Sequence, residues 1–269
     1  MPRAIWSGSL SFGLVNVPVK VVSAVRQKDV RFNLLHEKDG GRIEQKRFCT
    51  VENKEVPYEE VARGWKVGPD EYVMVTDEDL DSVAAEKSEQ IEILDFVDIA
   101  EIDPIYFEKP YYLVPDKGAG KAYGLLVEGM RRQGRVAIAR VVMRQKERLV
   151  AVRVIEDLLA MTTLLYHDEV VPPAALAEEG AAPAKSAPSE REIEMAEKLI
   201  ESLTTDFKPD RYKDEYRERV LQMLEAKAEG KTYTSPAPSP VKRPKDLVEA
   251  LQASLEAARR KHGKGEAEA

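Results

Sequence analysis

Cysteine is nearly absent from this chain of 269 residues, and its scarcity excludes several kinds of protein. The single cysteine, Cys49, cannot form an intrachain disulfide framework or a cysteine-rich zinc site. No run of about 18 apolar residues is present, so the sequence predicts no membrane span. The first residues alternate small, polar and apolar side chains, unlike the apolar centre of a signal peptide. We therefore expect a cytoplasmic protein that folds around an ordinary apolar core.

The catalytic motifs of common enzyme classes are also missing. His36, His167 and His262 lie far apart in the sequence, without a partner at the spacing of a catalytic or metal-binding pair. Residues 118–121 (GAGK) lack the first glycine and the Ser or Thr of a phosphate-binding loop. The acidic residues within 77–81 suit the first turn of a helix, where the helix dipole favours negative charge, better than a metal cluster. The sequence therefore predicts a protein that is not an enzyme and binds no metal or cofactor.

Charge is present in quantity, and it is sorted along the chain. The net charge of −7 by itself argues against nucleic-acid binding. Residues 117–153, however, carry ten Lys or Arg against two acidic residues, and residues 1–50 carry nine against four. Residues 51–116 carry nineteen Asp or Glu against five Lys or Arg. If the basic stretches fold onto one surface and the acidic stretch faces elsewhere, that surface would bind a polyanion without reading its sequence.

The sequence of the first 172 residues predicts mostly short strands between turns, a pattern typical of a β-barrel. The predicted strands are residues 9–22 (interrupted at Gly13 and Pro18), 72–75, 91–99, 111–114, 136–143 and 149–155. The last two predict a hairpin around a charged loop at 144–148. Alternation along 136–144 predicts one apolar face and one face that carries Arg140 and Arg144. Helices are expected at 121–132 and after an N-cap at Thr76.

The sequence of the C-terminal part predicts helices separated by linkers. Residues 173–188 are rich in Pro and Ala and predict a linker. Ser189 and Glu192 have the spacing of a capping box for a helix, and a second helix is predicted at 210–227. The tail, residues 232–269, contains a short amphipathic helix at about 245–261. Helices joined flexibly to a β-core favour docking elements over a second catalytic domain.

Five segments, in order along nearly the whole chain, resemble bacterial Ku proteins. They are RAIWSGSLSFGLVNVPVK (residues 3–20), TDEDL (76–80), PYYLVPDK (110–117), VAIARVVMR (136–144) and FKPDRYKDEY (207–216), the last after the helix at 196–203. The resemblance implies a mainly β fold with α: a Ku-core β-barrel with an extended bridging arm at about residues 28–65, followed by a small helical C-terminal region. The first segment is the most specific of the five.

The resemblance also implies a function. Ku proteins act as homodimers that form a ring around duplex DNA, load at double-strand breaks and recruit DNA ligase D in non-homologous end joining. The residues expected at DNA are Lys28, Arg31, Arg42, Lys46, Arg47, Arg135, Arg140, Arg144 and Lys146. The residues expected to bind the ligase, within 189–231, are Leu199, Phe207, Tyr212 and Tyr216. Such a protein would be cytoplasmic and associated with the nucleoid.

Two features depart from the family pattern. Some relatives carry paired cysteines near the position of Cys49, but residues 50–52 lack the second cysteine, so we expect no zinc. Family members often have a long lysine-rich tail, whereas residues 232–269 are short and nearly balanced in charge. The tail is therefore not expected to add much affinity for DNA.

Two other functions are compatible with the residues alone. The acidic stretch 70–108 could hold Mg²⁺ in a nuclease, which would cleave labelled duplex in the presence of the metal. A barrel that is not part of a ring could bind single-stranded or duplex DNA, with single strands held by aromatic stacking. Aromatic residues make up only 7% of the chain and do not interleave with the basic run, which disfavours stacking.

Overall fold

The chain folds into two units, and the barrel lies in the first of them. The computed structural model describes residues 3–83, 89–178, 188–233, 250–252 and 254. The first unit comprises residues 1–28 and 33–172, and the second comprises residues 29–32 and 173–269. Of the predicted tail helix at 245–261, only residues 250–252 and 254 are described, and they are helical.

Seven strands close into a barrel, which confirms the mainly β fold with α. The strands in chain order are β1 Ala4–Phe12, β2 Val15–Ser23, β3 Arg63–Gly68, β4 Glu71–Val75, β5 Gln90–Val97, β6 Phe107–Pro115, β7 Val136–Met143, β8 Lys146–Ile155 and β9 Leu158–Leu164. Around the barrel the order is β1-β2-β6-β9-β8-β7-β5, and β5 pairs with β1 in parallel to close it. Strands β3 and β4 form a separate two-stranded antiparallel sheet.

Side-chain alternation along the strands fills the barrel interior, as the period of two predicts. On β7, Ala137, Ala139 and Val141 are buried in the core, while Arg140 between them is exposed. The other strands add the same kind of residue to one core cluster, including Leu10, Val19, Val21, Ile91, Leu113, Val150, Val152, Leu159 and Met161. The predicted division of this strand into an apolar and a basic face is confirmed.

One long helix packs on the barrel. The helices of the first unit are α1 Asp77–Val83 and α2 Gly120–Gln133. Helix α2 buries Tyr123, Leu126, Val127 and Met130 in the core cluster. It ends at Gly134, whose φ of 62° is the left-handed conformation that glycine adopts most easily. The predicted helix at 121–132 is therefore confirmed. No helix within the described residues is long and apolar enough to cross a membrane.

Two buried hydroxyl groups, of Tyr123 and Thr163, form hydrogen bonds with backbone groups of β6 and β9. The Tyr123 hydroxyl donates to the Leu113 carbonyl of β6 at 2.7 Å and accepts from the Leu159 N–H of β9 at 2.7 Å. Burial raises the pKa of Tyr123 above its usual range, so the hydroxyl stays protonated. The Thr163 hydroxyl accepts from the Lys109 N–H at 3.0 Å, where the register of β6 against β9 shifts. These contacts satisfy backbone polar groups of β6 and β9 inside the fold.

Closure of the barrel between β1 and β5 depends on Gly8. A Cβ atom at this position would collide with the carbonyl oxygen of Glu89 and with the ring of Trp6. The same crossing is held by a hydrogen bond from Ser9 N to the Glu89 carbonyl at 2.8 Å. The Trp6 indole reaches across it and donates to the Val142 carbonyl at 3.1 Å.

Several predicted boundaries in the first unit need correction. Strands β3 and β9 were not predicted, and β6 begins at Phe107 rather than at residue 111. The predicted hairpin of β7 and β8 is confirmed, but its loop is narrower than 144–148. Met143 pairs directly with Lys146, so only Arg144 and Gln145 form the turn.

The second unit contains helices α3 Pro173–Glu178, α4 Glu190–Leu203 and α5 Glu215–Ala228. The predicted capping box is confirmed, because Ser189 Oγ accepts from the Glu192 N–H and the Glu192 carboxylate accepts from the Ser189 N–H. Helix α3 occupies the first residues of the predicted linker, and the remainder up to residue 187 lies outside the described residues.

The prediction that the second helix starts at residue 210 is wrong. Residues Pro209–Arg211 form a single 3-10 turn, and α5 begins only at Glu215. The Asp214 carboxylate accepts from the Arg217 N–H at 2.9 Å and caps the helix there. An N-cap four residues later than Asp210 therefore sets the boundary.

Candidate nucleic-acid interface

The predicted bridging arm, residues 28–65, is a long exposed segment between β2 and β3. Every residue from 33 to 65 is exposed except Cys49 and Val56, which are half-buried. Two turns give it local structure. His36 N donates to the Gly41 carbonyl at 2.7 Å, and Cys49 N donates to the Lys54 carbonyl at 2.9 Å. The arm is thus shaped by local hydrogen bonds rather than by burial.

The cations predicted to contact DNA on the arm remain exposed. Lys46 is 3.0 Å from the Glu55 carboxylate, and this contact raises the pKa of Lys46, which stays charged at neutral pH. The Arg47 guanidinium lies 4.9 Å from the ring centre of Tyr58, a distance typical of a cation–π contact. Within the described residues, the predicted DNA contacts of this region that form no ion pair are Lys28, Arg31, Arg42 and Arg47. Arg31 belongs to the second unit.

Most of the cations predicted to contact DNA on the barrel have carboxylate partners. The pairs are Arg140 with Glu92 at 3.2 Å, Arg135 with Asp98 at 3.7 Å, and Lys146 with Glu169 at 3.7 Å. The first pair follows from strand order, because β5 lies beside β7 and places Glu92 directly opposite Arg140. The condition that the acidic stretch faces away from the basic one is therefore not met in this part of the barrel.

Arg144 differs from these three residues. It lies at the tip of the β7–β8 hairpin, is exposed, and forms no ion pair or side-chain hydrogen bond within the described residues. The structure thus divides the predicted DNA-binding residues into three groups. One lies on the arm, one on the outside of the barrel and its hairpin, and Arg31 lies in the second unit.

Comparison with known proteins gives the family of this chain. A family model described as the Ku70/Ku80 beta-barrel domain matches residues 11–195. The chain belongs to the Ku family. A protein of Anaeromyxobacter sp. (strain K) named non-homologous end joining protein Ku is 49% identical over 271 residues, covering 100% of this chain and 90% of that protein.

Two other similar Ku proteins show how far the match extends along each chain. The Ku protein of Archaeoglobus fulgidus is 41% identical over 95% of this chain and 99% of its own. That of Symbiobacterium thermophilum is 46% identical over 95% of this chain, but the match covers only 63% of that longer protein. The likeness therefore extends beyond the barrel into the helical C-terminal region.

Neither the acidic stretch nor Cys49 forms a metal site in the described part of this Ku chain. No group of three or more His, Cys, Asp or Glu side chains with the geometry of a metal site occurs among those residues. Asp79 instead accepts hydrogen bonds from the backbone and hydroxyl of Thr76, which holds the pKa of Asp79 below its usual range. Thr76 in turn accepts from the Asp79 N–H at 3.1 Å, the N-cap that the sequence predicts.

The residues predicted to bind the ligase lie on or near the second-unit helices. Leu199 is half-buried on α4, while Phe207, Tyr212 and Tyr216 are 77%, 67% and 72% exposed. The rings of Phe207 and Tyr212 stack at a centroid distance of 5.7 Å and an interplanar angle of 25°. None of the residues of α4 and α5 is buried, so both helices present apolar side chains to the surface.

Sequence reasoning predicted β4 but missed β3, its partner in the two-stranded sheet at the end of the arm. Strands β3 and β4 expose Trp65, Val67, Tyr72, Val73 and Met74, each by more than half of its surface. Register places Trp65 opposite Val73 on one face and Tyr72 beside Lys66 on the other, so both faces of the sheet are apolar in part. The signal was available as a β-rich run on both sides of the turn at 69–70.

Proposed function

We propose that this chain binds the ends of double-stranded DNA without sequence preference, as a ring-shaped homodimer, and recruits DNA ligase D for non-homologous end joining. The relatives that match it are named for end joining, and its barrel is that of their family. The observation that carries the proposal is the arm, because it exposes both cations and large apolar side chains that this chain's own barrel leaves uncovered.

The apolar surface of the arm supports dimer formation. Leu34, Leu35, Ile43, Phe48 and Val51 are each about half exposed or more. An exposed apolar surface of this extent is typical of a protein interface. The β3–β4 sheet also supports dimer formation, because an isolated two-stranded sheet is at best marginally stable in water. In a dimer with a two-fold axis, each copy would cover this surface on the other copy.

The size of the barrel supports a ring of two copies. A body of about 170 residues has a radius of gyration of roughly 16 Å, too small to surround a duplex by itself. Two such bodies joined through their arms would leave a channel between them. Cations on the arm that lack carboxylate partners would then face the phosphates and bind any sequence, with an affinity that falls steeply as salt rises.

The second unit supports ligase recruitment. It exposes the stacked rings of Phe207 and Tyr212 between α4 and α5 and the ring of Tyr216 on α5, and aromatic side chains commonly form the centre of a protein interface. Because its helices bury none of their residues, the unit offers these rings without first having to unfold. The residues predicted to bind the ligase are different residues from those predicted to contact DNA.

The topology of the DNA tests the proposal. A ring must enter from a free end, so we expect tight binding to a linear duplex and almost none to a covalently closed circle of the same sequence. The control is the same circle cut once by a restriction enzyme, which should recover full binding. Equal affinity for the closed and the cut circle, measured by gel shift at one salt concentration, would falsify threading.

A further inference from the structure

The turn between β7 and β8 adopts an unusual backbone. Arg144 and Gln145 both have positive φ, at 53° and 63°. They are the two central residues of a two-residue hairpin loop, because Met143 pairs with Lys146. Two positive φ angles are the pattern of a type I′ turn, which favours Asn-Gly because other side chains are strained in the left-handed region. Neither Arg nor Gln belongs to the residues that relieve this strain.

In the next turn along the chain, a side chain holds the residue of positive φ in place. Glu156, between β8 and β9, also has a positive φ of 51°. The Arg131 guanidinium donates to the carbonyl oxygen of Glu156 and to the Asp157 carboxylate, the latter at 3.1 Å, and so holds that turn. No comparable side-chain hydrogen bond to Arg144 or Gln145 occurs within the described residues. Residues held in sparsely populated backbone conformations cluster at functional positions.

The ion pairs of the hairpin also distinguish Arg144 from its neighbours. The neighbouring cations Arg140, Lys146 and Arg148 each lie within 4 Å of a carboxylate. Arg144 has no such partner in the described part of the chain, and residues 144–148 hold three cations against one carboxylate. Among the cations at the turn end of the hairpin, residues 140–148, Arg144 is therefore the one without a carboxylate within 4 Å in the described part of the chain.

We propose that Arg144 contacts the duplex directly, and that the strained turn is retained because it presents this guanidinium at the tip of a rigid hairpin. The inference rests on the proposed function and deepens it by selecting one residue among the cations of the barrel. The twist of a type I′ turn matches the twist of the two strands it joins, so the strands stay paired up to the turn. Each copy in a homodimer contributes one such contact, made with phosphate or groove and independent of sequence.

Two variants separate the strain from the contact. The Gln145→Gly variant keeps Arg144 and removes strain at one position, so we expect Tm to rise by about 2–4 °C with unchanged DNA affinity. The double variant R144N/Q145G has the preferred turn residues and should be at least as stable. It should bind linear duplex about tenfold more weakly, and the slope of log affinity against log salt should decrease by about 2 per dimer.

Arg153→Gln is the matched control. Arg153 is an exposed arginine on β8 in regular strand backbone, at the end of the strand away from the turn, and it forms no ion pair within the described residues. Its loss should change neither the affinity nor the salt slope as much as R144N/Q145G does. Wild-type affinity in the double variant, or a Tm that does not rise in Gln145→Gly, overturns the inference. Absence of a preference for linear over closed duplex in the unmodified protein would instead overturn the proposed function.

Discussion

Tyr123 joins three elements of the barrel through one hydroxyl group. Its helix packs against the strands, and its oxygen lies between the Leu113 carbonyl and the Leu159 N–H at 2.7 Å from each. Those two residues are register partners across β6 and β9, so the hydroxyl bridges the two strands. A buried donor and a buried acceptor both depend on this one atom.

The Tyr123→Phe variant should therefore be clearly destabilised. Removal of the hydroxyl leaves two buried backbone groups unsatisfied, and we expect a loss of about 2–3 kcal/mol in the free energy of unfolding. Urea denaturation monitored by circular dichroism measures it, and the slope of the free energy against urea should not change.

Tyr111→Phe provides the comparison for this variant. Tyr111 packs against the same core from β6, but its hydroxyl forms no hydrogen bond within the described residues. Its loss should cost much less. Equal destabilisation of the two variants would show that the Tyr123 hydroxyl does not carry the role assigned to it.

The helices of the second unit illustrate how elements can be predicted while their packing is not. The capping box at Ser189 is a local signal, because both of its hydrogen bonds lie within four residues. The start of α5 is local too, but Asp210 and Asp214 compete for the same role, and the sequence pattern does not decide between them. Neither helix buries a residue, which the apolar stripe of α4 does not predict.

The stacked rings next to α5 lead to a prediction about ligase docking. The double variant Phe207→Ala, Tyr212→Ala removes both members of the exposed pair, and we expect its affinity for DNA ligase D to fall at least about tenfold. Titration calorimetry with the purified ligase measures the change. DNA binding by the variant should be unaffected, since the barrel and the arm are unaltered.

Leu221→Ala is a suitable control for the ligase experiment. Leu221 is an exposed apolar residue of α5 that lies outside the set predicted to bind the ligase. Its replacement should leave the affinity within about twofold of the wild type. If the aromatic double variant binds the ligase as tightly as this control, the docking surface lies elsewhere.

At the scale of the whole molecule, the net charge of −7 conceals a division between paired and unpaired cations. On the barrel, acidic strand β5 lies beside basic strand β7 and neutralises part of it. On the arm, Arg42 and Arg47 have no carboxylate partner within the described residues. The arm should therefore contribute more to phosphate binding than the outer strands of the barrel.

Charge reversal on the arm tests this distribution. In the triple variant R42E/K46E/R47E, six cations per dimer are lost, so DNA affinity should fall and the salt slope should decrease by as much as about 5. Fluorescence anisotropy with a labelled blunt duplex over a series of salt concentrations measures both quantities. Sedimentation should show that the variant is still a dimer.

The matched variant K198E/K213E/K227E makes the same change in net charge on the second unit. These three lysines are exposed and lie away from the arm in the chain. Their reversal should reduce affinity only through long-range repulsion, with little effect on the salt slope. An unchanged slope in the arm variant would place Arg42, Lys46 and Arg47 off the path of the DNA.

Local patterns in the sequence were sufficient for much of this protein. The period of two on β7, the capping boxes at Thr76 and Ser189, and the glycine after α2 each involve residues a few positions apart. The opening segment, residues 3–20, was specific enough to indicate the family. Such features can be predicted without the tertiary structure, because the groups that interact are neighbours in the chain.

Tertiary structure decided which charges are free and which are paired. Glu92 and Arg140 are 48 residues apart and meet because β5 and β7 are neighbours in a barrel that closes through β1. No local pattern specifies that register, since it depends on how the whole sheet closes around its core. The same holds for the exposed arm, whose apolar residues resemble core positions in sequence and are left uncovered only because the barrel is complete without them.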